Sequence, residues 1–284
     1  MKTIKSVLLV LFLPINMAFT QEKGTPMVLP QVTVVPIKDT EANKQYELYI
    51  ELPEDYSEHP DKKYPVLYYT DAMWHIEILS ASMEYIMNDV ILVGISWQKD
   101  IDESLINERG EHVSRFRDYT VKPSSNPVNQ AKYQIGQSSN HLAFIRNDVF
   151  EYVESNYRTD PKQRSYFGYS LGGVFGTYVL LAQPDSFKNY ILGSPALEGD
   201  IPFLTELSTK EAKTSQGMNA NVFISYGTLE EELGGYTEQL ITLLKERKDS
   251  SLSIRHVLIE GSHQTAFPMT GVKSVSWLAK RVKE

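Results

Sequence analysis

One stretch constrains this chain more than any other: Gly168-Tyr169-Ser170-Leu171-Gly172-Gly173. Just before it, Arg164-Ser165-Tyr166-Phe167 is short and aromatic, like the end of a buried strand. Just after it, apolar residues fall at Leu171, Val174, Phe175, Tyr178, Val179 and Ala182, the spacing of one helical face. A bare Gly-x-Ser-x-Gly arises by chance in about one chain of this length in ten, so the setting carries the argument. Strand, sharp turn and helix together make a nucleophile elbow, in which a cramped backbone lifts the serine hydroxyl above a sheet. The helix N-terminus then aims backbone N–H groups at the place where an oxyanion would form.

The remaining chain alternates strands and helices as such an elbow requires. Gln31 to Ile37 reads as a strand broken by Pro36, and Tyr46 to Leu52 as a strand with one wet face. Tyr64 to Thr70 and Val90 to Ser96 are continuous apolar runs, hence central strands. Asp71 to His75 reads as a loop and Ile76 to Asn88 as a helix. From Trp97 to Asn140 the pattern dissolves into clustered charges and a Pro123 to Pro127 patch, a long excursion that is either solvated or a wall of the active site. A helix over His141 to Tyr157, a strand and exit turn over Tyr190 to Pro195, and a polar helical cap within Ile201 to Ala220 follow. Asn221 to Gly227 is a strand, Tyr236 to Arg247 an amphipathic helix, Ser253 to Ile259 the last strand and Val272 to Val282 the final helix. With no repeat in sight, the expectation is an α/β fold: one domain over residues 21–284, built on a mostly parallel central sheet with helices on both faces. Ligands then bind at the carboxyl ends of the strands.

Composition narrows the function. At 42% hydrophobic and 23% charged residues, the chain has an ordinary globular make-up. Its formal charge of −8 gives no basic stripe for a phosphate backbone, so nucleic acid is not an expected partner. Residues 1–20 read as a signal peptide: Lys2 and Lys5 precede an apolar Val7 to Leu13, and Ala18-Phe19-Thr20 supplies small residues before a cut at Gln21. Cleavage removes two lysines and no acids, giving −8 − 2 = −10. The apolar run is short for a membrane span, and there is no cysteine to carry a lipid or a disulfide. The expectation is a periplasmic or secreted protein without stable membrane insertion, its fold held by the core alone.

A serine hydroxyl needs a positioned base. Of the six histidines, His263 follows the last strand through Gly261-Ser262 and precedes the final helix, which brings it to the sheet edge where Ser170 emerges. His256 sits inside a strand and reads as structural. The acid belongs after the preceding strand, in Gly227-Thr228-Leu229-Glu230-Glu231-Glu232, with Glu230 first in line and Glu231 its competitor. Oxyanion donors are the Leu171 N–H and one from the loop after Thr70, Met73 or Ala72. Trp74, His75, Tyr169 and Arg117 are the candidate substrate contacts. No metal-ligand pair or phosphate cradle stands out, so neither metal nor cofactor is expected.

These stretches, taken together, resemble the Putative esterase family of α/β-hydrolases, which includes siderophore (enterochelin-type) esterases, feruloyl and acetylxylan esterases, S-formylglutathione hydrolases and mycolyltransferases. The likeness runs from about Tyr46 to the C-terminus, through Pro65 to Asp71, Val93-Gly94-Ile95, Arg117-Asp118-Tyr119-Thr120, the elbow, Pro184 to Phe187, Ser194-Pro195 and Gly261-Ser262-His263. It implies Ser170 as nucleophile, His263 as base, Glu230 as acid and an oxyanion donor at Met73. Ala72 departs from the glycine usual after the aspartate. The expected function is an exported serine carboxylesterase acting on a small-molecule ester through an acyl-enzyme. The alternatives are a siderophore esterase served by Arg109, Arg115 and Arg117, an acyltransferase, and a ligand-binding protein without catalysis.

Overall fold

A computed structural model describes residues 31–212 and 217–282; the signal peptide expected over residues 1–20 lies outside the described residues. Eight strands form one sheet in the order β1-β2-β4-β3-β5-β6-β7-β8. They are β1 (Val32–Asp39), β2 (Lys44–Glu51), β3 (Tyr64–Thr70), β4 (Ile91–Ile95), β5 (Thr159–Tyr169), β6 (Asn189–Gly193), β7 (Asn221–Gly227) and β8 (Ser253–Ile259). Only β2 runs antiparallel to its neighbours, and β3 through β8 are all mutually parallel. The mostly parallel sheet expected from the alternation is therefore present. β1 continues straight through Pro36 instead of breaking there. As an edge strand paired only with β2, it can spare one N–H.

Helices cover both faces, so the central strands are apolar on both sides. On one face lie α1 (Ala72–Ile86) and, at the end of the chain, α10 (His263–Arg281); Ile76, Leu79, Met83, Val275 and Leu278 pack there against Leu67, Tyr69, Phe167 and Phe223. After β4 come α2 (Glu103–Arg109), the single turn α3 (Arg115–Asp118) and α4 (Pro127–Tyr133), so the region read as a patternless excursion holds short helices. The opposite face carries α5 (Ser138–Phe144), continued through a π-helical turn into α6 (Phe150–Asn156), then α7 (Leu171–Ala182), α8 (Ile201–Ala212) and α9 (Glu231–Glu246). Among the described residues no helix is long and apolar enough to cross a membrane.

Among the boundaries that move, α9 starts at Glu231 instead of Tyr236, and two others change what surrounds the site. Asp71 to His75 is not a loop: Asp71 adopts a left-handed conformation (φ 58°, ψ 45°) and α1 begins at Ala72. The final helix starts nine residues earlier than its apolar spacing indicates, because Ser262 and Thr265 form a reciprocal capping box and Pro268 is accommodated inside it. Both shifts turn presumed loops into helix N-termini at the carboxyl end of the sheet.

Candidate active site

Strand register brings the site together. Tyr69 of β3 pairs with Phe167 of β5, Tyr169 with Gly193 of β6, and Gly227 of β7 with Ile259 of β8. Asp71, Ser170, Ser194, Glu230 and His263 each follow within four residues of those pairs. All of them therefore emerge at one end of the sheet.

Ser170 is the turn between β5 and α7, with φ 57° and ψ −117°, a conformation that non-glycine residues seldom adopt. Its N–H donates to the Gly193 carbonyl at 3.0 Å, which anchors the elbow to β6. Gly168 lets α7 fold back tightly: a Cβ there would lie 2.2 Å from the Gly172 carbonyl oxygen. Tyr166 Oη donates to that same carbonyl (2.8 Å) and lies 3.1 Å from Thr70 Oγ1, so the start of α7 is tied to the end of β3. Leu171 and Met73 are the first and second residues of α7 and α1, where helical N–H groups have no partner within their own helix.

His263 is the first residue of α10. Its Nδ1 lies 2.5 Å from Glu230 Oε1. The other carboxylate oxygen, Oε2, accepts from the Gly227 N–H (2.5 Å) and from Ser194 Oγ (2.8 Å). Burial pushes the Glu230 carboxyl up, but hydrogen bonds from His263, Gly227 and Ser194 outweigh it and hold the group below its ordinary value. Glu231, the competitor, is exposed in the first turn of α9. Ser170 and His263 both line two cavities. One, of about 420 Å3, is walled by Leu197, Leu229, Leu233 and Tyr236 and rimmed by Glu198, Glu231 and Glu232. The other, of about 320 Å3, is walled by Trp74, His75, Arg115, Tyr169, Gln264 and Phe267.

The candidate substrate contacts divide. Trp74 is 48% exposed and opens on the smaller cavity. His75 lines it too, but is buried and stacked on Phe267, with Nδ1 donating to the Thr70 carbonyl at 2.9 Å; burial pushes its pKa down to about 4, so it is neutral near pH 7. Tyr169 is buried, with its hydroxyl donating to the His263 carbonyl at 2.6 Å. Arg117 lines neither cavity. Its guanidinium is buried against Asp118 (2.7 Å) and the Tyr46 hydroxyl (3.1 Å). Arg115 is the arginine at the site: it forks onto the fully buried Asp71 at 2.6 and 2.9 Å and lies 4.8 Å over the Trp74 ring. Trp97 Nε1 also donates to Asp71 at 2.6 Å. Two residues apart on one helical turn, Arg115 and Arg117 point opposite ways, and only a known helix could have told them apart. Ser194 is legible in the sequence as a strand-exit turn, with no signal that its hydroxyl donates to Glu230.

A family model described as Putative esterase matches residues 40–255. The chain belongs to that esterase family. It is an ester hydrolase of the α/β-hydrolase fold. Among the relatives of this esterase, the ferri-bacillibactin esterase BesA of Bacillus subtilis is 26% identical over 220 residues, spanning 72% of each chain. Of solved structures, the BES protein from Bacillus cereus superposes with a TM-score of 0.75 at 20% identity, covering 90% of this chain and 98% of that one. The siderophore hydrolase EstB of Aspergillus nidulans gives 0.68 at 17% identity, covering 90% and 97%.

Proposed function

We propose that this esterase is an exported serine carboxylesterase working through Ser170, His263 and Glu230 and an acyl-enzyme intermediate. The observation that carries the reading is the 2.5 Å His263–Glu230 hydrogen bond beside cavities that Ser170 also lines. With its Nδ1 proton donated to Glu230, the imidazole keeps Nε2 as the acceptor. Ser170 Oγ attacks the ester carbonyl while Nε2 takes its proton, and Glu230 stabilises the imidazolium. The Leu171 and Met73 N–H groups hold the tetrahedral oxyanion. Collapse expels the alcohol, which leaves with the proton from Nε2. Water, deprotonated by the same nitrogen, then releases the acid and frees Ser170. Export rests on the signal-peptide pattern of residues 1–20.

Ser170→Ala tests the mechanism on p-nitrophenyl butyrate, with kcat expected to fall roughly 1,000-fold or more. Near wild-type turnover in that variant, or absence of Ser170 labelling by a fluorophosphonate, would overturn it.

A second reading is a siderophore ester as substrate. The printed names of BesA and EstB attach that substrate class to those proteins. In this chain the smaller cavity supports it, since Trp74, Tyr169 and Phe267 offer flat faces to aromatic chelating groups. Arg115 is charge-balanced by Asp71, so the cavity offers stacking more than net positive charge. A panel of aryl, sugar and siderophore esters, compared by kcat/KM, decides the matter; a siderophore ester that ranks last sinks this reading.

A further inference from the structure

We infer that Tyr169 and Ser194 are positioning residues that lock the His263–Glu230 pair to the nucleophile, an inference that rests on the triad proposed above. Four groups from four places in the chain close into one ring. His263 Nδ1 meets Glu230 Oε1 at 2.5 Å, and Glu230 Oε2 meets Ser194 Oγ at 2.8 Å. Ser194 Oγ lies 3.0 Å from Tyr169 Oη, and Tyr169 Oη lies 2.6 Å from the backbone carbonyl of His263. Ser194 is fully buried and Tyr169 almost so.

Proton counting fixes the donors. The three oxygen–oxygen contacts share two hydroxyl protons. Glu230 is held in its ionised form and can only accept. The Ser194 proton therefore goes to Glu230, and the Tyr169 proton to the His263 carbonyl, the shortest contact of the three. The 3.0 Å Ser194–Tyr169 contact closes the ring without a proton of its own.

Covalent connectivity gives this ring its purpose. Tyr169 is the last residue of β5 and adjoins Ser170. His263 reaches the site from β8, three strands away. A phenol tied to the His263 carbonyl sets the distance between base and nucleophile through a single peptide link. The Tyr169 ring crosses β6 where that strand carries Gly193, at which a Cβ would lie 2.5 Å from the ring. Ser194 holds φ 38°, a left-handed conformation unusual outside glycine. That turn carries its hydroxyl to Glu230. Both hydroxyls thus act through the acid–base pair. Tyr169 shares the smaller cavity's wall, but its only hydroxyl proton is committed to protein.

Tyr169→Phe keeps the ring and removes the hydroxyl, and Ser194→Ala does the same for the acid's donor. Each is assayed on p-nitrophenyl butyrate beside Ser170→Ala, using protein whose thermal melt matches the parent. In both variants kcat is expected to fall about 10- to 100-fold with KM within about two-fold, because base and nucleophile lose alignment while binding is untouched. The rate of Ser170 labelling by a fluorophosphonate should fall with kcat. A KM raised several-fold at unchanged kcat would make Tyr169 a substrate contact and overturn the inference, as would wild-type kcat in both variants. If Ser170→Ala is dead while these two are not, the ring fails and the triad stands. If Ser170→Ala stays active, the triad itself fails. Should Tyr169→Phe not fold, Ser194→Ala decides alone.

Discussion

Glu230 is 9% exposed and accepts three hydrogen bonds, whereas Glu231 next to it is open to solvent. The difference is one of direction. Glu230 precedes α9 and its side chain turns back under the β7 exit, while Glu231 starts the helix and meets its dipole from outside. Replacing Glu230 by Gln keeps the shape but removes the charge that balances an imidazolium and lets the imidazole adopt the wrong tautomer. On an aryl ester, kcat should drop roughly 100- to 10,000-fold. Glu231→Gln should stay within about two-fold of the parent in kcat, because its exposed carboxylate rims the larger cavity without a hydrogen bond to His263. Steady-state kinetics on the pair checks this, and equal losses in both would refute the assignment of the acid.

Three helix N-termini converge on the site: α1, α7 and α10. Two of them offer N–H groups without a partner in their own helix, and the third carries His263, the proposed base. The first turn of α10 is fixed by its capping box, in which the Ser262 N–H donates to Thr265 Oγ1 at 2.8 Å. Loss of this reciprocal bond in Thr265→Val should cost about 1 kcal/mol of stability. It should also lower kcat with little change in KM, because His263 is the residue directly after the cap. Urea denaturation and kinetics on the same preparation measure both; an unchanged kcat would mean that the Tyr169 and Glu230 contacts hold His263 without help from the cap.

The core contains two histidines that resist protonation. Burial lowers His75 to about 4, and lowers His141 as well. The His141 ring sits among Tyr46, Tyr119, Phe144 and Phe175, with neither nitrogen hydrogen-bonded among the described residues. In the unfolded chain both titrate near their ordinary value of about 6.5. Below that pH the unfolded state takes up protons that the folded state refuses, so stability falls as pH drops from about 6.5 towards 4. For His75 the full loss amounts to about 3 kcal/mol. Melting temperature should therefore decline through this window. His141→Phe, which fills the aromatic cage without an ionisable group, should flatten the decline. An unaltered slope in that variant would assign the acid sensitivity elsewhere.

What could be read from the sequence was whatever follows from local spacing. Residues 165–182 gave strand, elbow and helix because their apolar periodicity switches across a glycine-flanked serine, and parallel strands joined by helices lead to one sheet with its chemistry at the carboxyl ends. Helix starts at Ala72 and His263 escaped notice because a left-handed aspartate and a capping box set them, and neither leaves an apolar period. Which arginine reaches the cavity and which glutamate meets His263 emerged from the folded chain alone. The same is true of what Tyr169 holds. Each of those outcomes depends on the direction of a side chain after a turn, and that direction is fixed by partners twenty to a hundred residues away, through bonds that exist only once the sheet has assembled.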